Sequence, residues 1–184
     1  MKKISYFFGM LISVLMFSAC SEGTDFDIEY TPLAPVGGQY FVTLYYGIDD
    51  TKTDEQFWST AKEGVDYEEL GQINATLSNT TDFDTDKAWI RVGSRTTNSF
   101  YGVNAKVSIN MANFTFEGTN VENVAGGAAA VGNCTVKGYC THNQFTAPSG
   151  AVTDYIEFTY SRSDQPGYHM KAVGWKYTGW EEDM

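Results

Sequence analysis

The chain has 184 residues, 42% of them hydrophobic, which is enough for one domain with a buried core and too apolar for a disordered chain. Its formal charge is −11, so it repels nucleic-acid phosphates and offers anionic lipid headgroups no general attraction. Nucleic acid is thereby excluded as a partner, while a 15% aromatic content, mostly Tyr and Phe, suits both half-buried pleated surfaces and ligand cavities.

Lys2 and Lys3 open the chain, and the run from Ile4 to Ala19 is almost wholly apolar. That run is short for a spanning helix, which needs about 20 residues, and fits a secretory signal. It closes on Phe17-Ser18-Ala19-Cys20, which looks like a lipobox with Phe17 where leucine is usual. Small residues before the cysteine give a peptidase access. The expectation is a signal peptide over 1–19, cleavage before Cys20 and a lipid anchor on that cysteine. Cleavage removes Lys2 and Lys3 and no acid, leaving a charge of −13. The location implied is the cell envelope, as an outer-membrane lipoprotein with a surface-exposed option. Ser21, Glu22, Asp25 and Asp27 follow the cysteine and resemble a surface-export signal of some gut-dwelling Gram-negative bacteria.

Residues 20–37 read as a flexible tether, broken by Pro32, Pro35, Gly37 and Gly38 at its end. From Gln39, Tyr40, Val42, Leu44 and Tyr46 alternate with Phe41, Thr43 and Tyr45, a strand apolar on both faces. Asp54 to Ala61 reads as a short helix capped by Thr53. Strands are expected over Ile73–Leu77 and Lys87–Val92, and the cleanest alternation runs Val103, Ala105, Val107, Ile109. Phe114 and Phe116 continue a related pattern after a kink. Gly126-Gly127 marks a turn before a segment from Ala128 to Cys140. Pro148-Ser149-Gly150 and Gln165-Pro166-Gly167 are turns around a strand with Val152, Ile156, Phe158 and Tyr160 on one face, and His169 to Tyr177 is the last strand. Strands separated by turns, with no long helix and no repeat, indicate a barrel or a sandwich over 38–184.

Cys134 and Cys140 share strand parity, which on one continuous strand separates them by roughly 20 Å, beyond bridging reach. A turn at Lys137-Gly138 would be needed to join them; two free thiols packed as small hydrophobes is the favoured reading.

The order Asn104–Ile109, Phe114-Thr115-Phe116, Val136-Lys137-Gly138, Asp154–Phe158 and the closing Gly174-Trp175-Lys176-Tyr177-Thr178-Gly179-Trp180-Glu181-Glu182-Asp183, together with the lipobox, resembles the lipid-binding putative hydrolase family of small lipoproteins from gut Gram-negative bacteria. The resemblance implies an all-β fold: an antiparallel, calycin-like (lipocalin-like) up-and-down β-barrel of about 8 strands with at most one short helix and an apolar ligand inside. It supplies no catalytic motif to carry over, and Trp175 and Trp180 stand where smaller or charged residues are more usual.

Hydrolysis needs a nucleophile, a base and an oxyanion site, and no G-x-S-x-G elbow is present. His142 falls in the polar stretch Thr141–Gln144 and reads as a loop residue; His169 starts the last strand on the side opposite Met170. Cys140 and His142 would share a strand face, but no third partner is evident. Acid pairs such as Asp49-Asp50, Glu68-Glu69 and Glu181-Glu182 read as solvated faces. Asp82, Asp84 and Asp86 alternate as calcium ligands can, without the glycine and distal glutamate of an EF-hand loop, so neither metal nor cofactor is expected.

Asp154 interrupts an apolar face and requires a donor, for which Arg91 and Arg95 are candidates, or exposure to a lumen. Tyr40, Tyr46, Trp89, Asp154, Tyr160, Trp175 and Tyr177 are the expected ligand-binding residues, with a filled core as the alternative for each. Three functions follow. The first is a tethered barrel binding a small apolar or lipid-like ligand; the others are a hydrolase with a non-contiguous site and an accessory lipoprotein of an outer-membrane uptake system. An open cavity favours the first, a convergent acid-base-nucleophile set the second and a packed interior the third.

Overall fold

A computed structural model of the protein describes residues 30–93, 99–126 and 131–183. The signal segment, Cys20, Arg95 and the Gly127-Ala128 boundary fall outside them. The strands are β1 (Gly38–Ile48), β2 (Tyr67–Asn79), β3 (Lys87–Val92), β4 (Val103–Asn110), β5 (Thr115–Glu122), β6 (Asn133–Thr146), β7 (Val152–Arg162) and β8 (Tyr168–Lys176). Each pairs antiparallel with its sequence neighbours, and β8 returns to β1 to close the barrel. One helix, α1 (Asp54–Thr60), and a 3-10 turn at Glu181–Asp183 complete the described elements.

The two ends of the barrel differ. At the lower end lie segment 31–37, the turns β2–β3, β4–β5 and β6–β7, and residues 177–183; at the upper end lie the loop bearing α1 and the turns β3–β4, β5–β6 and β7–β8.

The alternation read in β4 holds: Val103, Ala105, Val107 and Ile109 are buried and the residues between them face solvent. Inward positions from every strand form one contiguous core, including Tyr40, Val42, Leu44, Leu77, Ile90, Val136, Phe158, Tyr160, Met170 and Ala172. Eight strands enclose a space that side chains can fill, and the inward side chains of the described residues pack there into one core. Gly138 shows how tightly: a Cβ there would stand 2.3 Å from the Cβ of Phe158 and 2.8 Å from the ring of Phe116. Cys134 and Cys140 both point inward on the continuous strand β6 and are free thiols.

The described part of the expected tether is not loose. Leu33 and Val36 are fully buried, and the segment 31–37 folds as a turn across the lower end. Asn79 holds it by accepting from the Leu33 N–H at 3.2 Å and donating to the Thr31 hydroxyl at 2.9 Å. The Tyr40 hydroxyl donates to the Val36 carbonyl at 2.5 Å. The upper end is tied by Tyr160, which donates to the Tyr101 carbonyl at 2.6 Å, and by Arg162, which donates to the carbonyls of Ser99 and Gly102.

Two strands run further than their sequence pattern. β2 begins at Tyr67, but a bulge at Gly71, with φ of +119°, breaks its alternation. β6 continues through His142 to Thr146 across a second register shift, so His142 belongs to a strand and not to a loop.

Candidate functional site

The expected ligand-binding residues do not line an open lumen. Tyr40 and Tyr160 point inward and are fully buried as part of the packed core. Tyr46 lies at the upper rim, edge-on to Phe100 at 6.0 Å. Trp89, Trp175 and Tyr177 face outward, because the alternation of their strands turns Ala88 and Ile90 in β3 and Ala172 and Gly174 in β8 inward. Lys106 lies over the Trp89 ring at 5.6 Å, Trp175 stacks on Phe145 at 5.4 Å, and Tyr177 packs against Phe41 at 5.3 Å.

Asp154 is inward and buried, with its side chain 3% exposed. Its partners are neither arginine. Lys176 Nζ reaches it at 2.9 Å, and the His142 ring and the Asn143 N–H both donate to its other oxygen at 2.9 Å. Asn143 in turn donates to His142 Nε2 at 3.0 Å, which fixes the imidazole with its hydrogen on Nδ1. His142 is thus committed to a carboxylate. Cys140 instead has the Tyr40 hydroxyl 3.9 Å away, and burial pushes its thiol up to about 12, so the thiol-imidazole pair does not form.

A groove of about 720 Å³ lies outside the wall, across β4–β7 beneath one edge of α1. Thr53 caps α1 through a reciprocal pair of hydrogen bonds with Gln56, at 3.0 and 3.3 Å. Gly47 lets the helix sit close, since a Cβ there would stand 2.2 Å from the Phe57 ring. His169 fastens the helix to the wall: it stacks on Phe57 at 4.6 Å, meets Asp54 at 2.5 Å and donates to the Asp49 carbonyl at 2.8 Å.

That seating places Trp58 in the groove opposite Tyr139, with Asp54, Glu55, Asp86, Glu117 and Glu157 around them and Lys137 as the cation. The buried indole N–H of Trp58 meets no acceptor among the described residues. Glu157 is fixed by three donors: Lys171 at 2.8 Å, Tyr155 at 3.0 Å and Tyr139 at 3.1 Å. Burial raises its carboxyl, but the Lys171 contact and the tyrosine hydroxyls outweigh that and hold it below the usual range. A second concavity of about 580 Å³ shares Asp54, Glu55 and Lys137 as its wall. Sequence reasoning passed over Trp58, although the Phe57-Trp58 pair on an otherwise polar helix is its signal.

Ser161, Asp54 and His169 converge beside this wall, but in the wrong order for acyl transfer. The Ser161 hydroxyl donates to Asp54 at 2.6 Å, and both imidazole nitrogens are spent on acceptors, so no ring nitrogen is positioned to take the serine proton. The cluster docks a helix. In the Asp82/Asp84/Asp86 run, Asp84 accepts from Thr80 at 3.1 Å and faces Lys87 at 4.0 Å. No three metal-ligating side chains converge among the described residues.

A family model described as lipid-binding putative hydrolase matches residues 25–181. No curated protein gives a significant match.

Proposed function

The chain belongs to the lipid-binding putative hydrolase family, and from that membership we propose that it is an envelope lipoprotein that binds an amphipathic lipid-like ligand in the outer groove and not within the barrel. The observation that carries the reading is the groove itself: Trp58 and Tyr139 line a concavity of about 720 Å³ on the outer wall, while Tyr40, Phe158 and Tyr160 are buried in the core of the described residues. Apolar burial against such rings contributes about 25 cal/mol per Å². Glu157 is already held by Lys171 and Asp54 by His169, but Glu55, Asp86 and Glu117 still outnumber Lys137 in the lining and disfavour an anionic headgroup, so the ligand is a neutral or cationic amphiphile. The anchoring half of the proposal rests on Lys2, Lys3, the apolar run to Ala19 and Cys20, with the barrel and its folded segment 31–37 as the tethered domain and the outer membrane as its site.

Titration of a monoacylglycerol and of the matching fatty acid, followed by isothermal titration calorimetry, tests the groove. The neutral ligand is expected to bind more tightly, and Trp58→Ala to weaken it by about tenfold. Equal affinity of wild type and Trp58→Ala would refute the site. A second reading has an observation of its own: the packed interior is what an accessory lipoprotein of an uptake system would show. That reading expects no lipid affinity at the groove.

A further inference from the structure

The exposed apolar side chains are unevenly distributed. Tyr30, Phe83, Val152, Tyr177 and Trp180 all lie at the lower end, where the ring of strands gathers them from separate turns, while Ile48, Val65 and Phe100 mark the upper end. Four of the five lower residues are aromatic.

Two of them are held in place by their surroundings. Phe83 is 58% exposed although its φ of +52° lies in a region that bulky residues rarely occupy. Thr80 fixes that turn, its carbonyl accepting from the Phe83 N–H at 3.2 Å and its hydroxyl from the Asp84 N–H at 3.1 Å. Trp180 is 60% exposed on a segment pinned from both sides. Asp183 accepts from the Ser149 N–H and hydroxyl, each at 2.7 Å, and from the Thr178 hydroxyl, while its carbonyl accepts from the Trp175 indole at 3.3 Å. Rings presented on fixed turns lose little conformational entropy when they meet a surface.

We propose that this lower end is a membrane-contacting face, whose Tyr30, Phe83, Tyr177 and Trp180 rings seat at the interface of an uncharged or zwitterionic lipid surface. The proposal rests on the anchor reading. Nine residues lie between Cys20 and Tyr30, ten chain steps with a reach of at most about 33–36 Å, and Tyr30 stands at this same end. A lipid on Cys20 therefore holds the lower end, and not the upper, nearest the bilayer. Tyr and Trp favour the headgroup level because they carry an apolar body and a polar tip. Asp82, Asp84 and Asp86 share the β2–β3 turn with Phe83, and Glu181 and Glu182 follow Trp180, so acids at this end turn away anionic lipid and favour the zwitterionic surface. A lipid on Cys20 fixes the chain to the bilayer without fixing the barrel's orientation, and a second contact at the protein's own end would set that orientation.

The test uses the lipidated protein from its own host, reconstituted on phosphatidylcholine–phosphatidylethanolamine vesicles that carry headgroup-level nitroxide lipids. Intact mass reports the diacylglyceryl group and so judges the anchor separately. Wild-type tryptophan emission is expected to be quenched, and Trp180→Phe, which keeps the ring and removes the reporter, to lose most of the quenchable part. Identical quenching in wild type and Trp180→Phe overturns the proposal. If the mass shows no lipid, Cys20→Ser protein is sedimented with the same vesicles. Binding that falls about tenfold in Phe83→Ser/Tyr177→Ser/Trp180→Ser supports the face without the anchor, and binding indifferent to those changes overturns it. A dimer in ultracentrifugation that Trp180→Ser dissolves would overturn it in favour of a second copy of this chain.

Discussion

Replacing Lys176 with methionine isolates the worth of the ion pair inside the lower end. Lys176 Nζ lies 2.9 Å from Asp154, whose side chain is 3% exposed, so the variant leaves a carboxylate in the core without its cation. Removing one partner of a buried pair costs about 3–5 kcal/mol. The His142 ring and the Asn143 N–H still reach the other oxygen of Asp154, and Lys176 is itself 26% exposed, so water screens part of the attraction. The expected loss is therefore about 2–3 kcal/mol, and with roughly 2–4 °C per kcal/mol for a chain of this size Tm falls by about 4–12 °C. Urea unfolding followed by circular dichroism measures it, with an unchanged slope showing that the folded state stays compact. Adding Asp154→Asn removes the stranded charge and should restore more than half of the loss. A Lys176→Met midpoint within about 0.5 kcal/mol of wild type would show that Asp154 does not need this cation.

The thiols of Cys134 and Cys140 are both pushed up to about 12 by burial, so at pH 8 neither is expected to react with a disulfide reagent until the barrel is unfolded; rapid labelling of either in the native protein would contradict the packing. Acid should weaken the fold. Hydrogen bonds from Thr51 and Lys52 hold the Asp49 carboxyl down to about 2, and Arg162 lowers that of Asp164; at Asp183 burial raises the carboxyl, but the Thr178 and Ser149 contacts outweigh it. These depressed groups contribute stability that is fully present above the unfolded carboxylate range near about pH 4 and is lost as pH falls through the folded values. Thermal melts from pH 6 to pH 2 should fall steadily. Asp183→Asn should flatten the accompanying change in Trp175 and Trp180 emission, and a profile with no acid limb would refute the account.

The sequence was most legible where one face is solvated. β4 alternates cleanly because Asn104, Lys106, Ser108 and Asn110 all face water, and Thr53 announces α1 because a capping box is local chemistry. It was least legible where the period breaks. The Gly71 bulge hides the first half of β2 among glutamates, and the shift after Thr141 made His142 look like a loop residue. The aromatic set was hard to orient for a different reason. β1 is apolar on both faces, so Tyr40 and Phe41 carry no label for inside or outside, and the narrow interior of an eight-stranded ring accepts only some of the bulk. Trp89 and Trp175 lie outside because Ile90 and Met170 already occupy the space within. The groove could not be read at all, since it forms only when Gly47 and His169 bring a distant helix against β6 and β7.

Pairing of β1 with β8 joins residues more than a hundred positions apart, from Tyr40 with Lys176 to Ile48 with Tyr168. The seam pairs the first strand with the last and so covers the edges both would otherwise present, but it can be sewn only after the last strand has been delivered. During synthesis every intermediate therefore carries two raw borders, and the nascent polypeptide stays threadable until its final segment emerges. A chain truncated before Tyr168 would keep those borders permanently and should aggregate where the intact one does not.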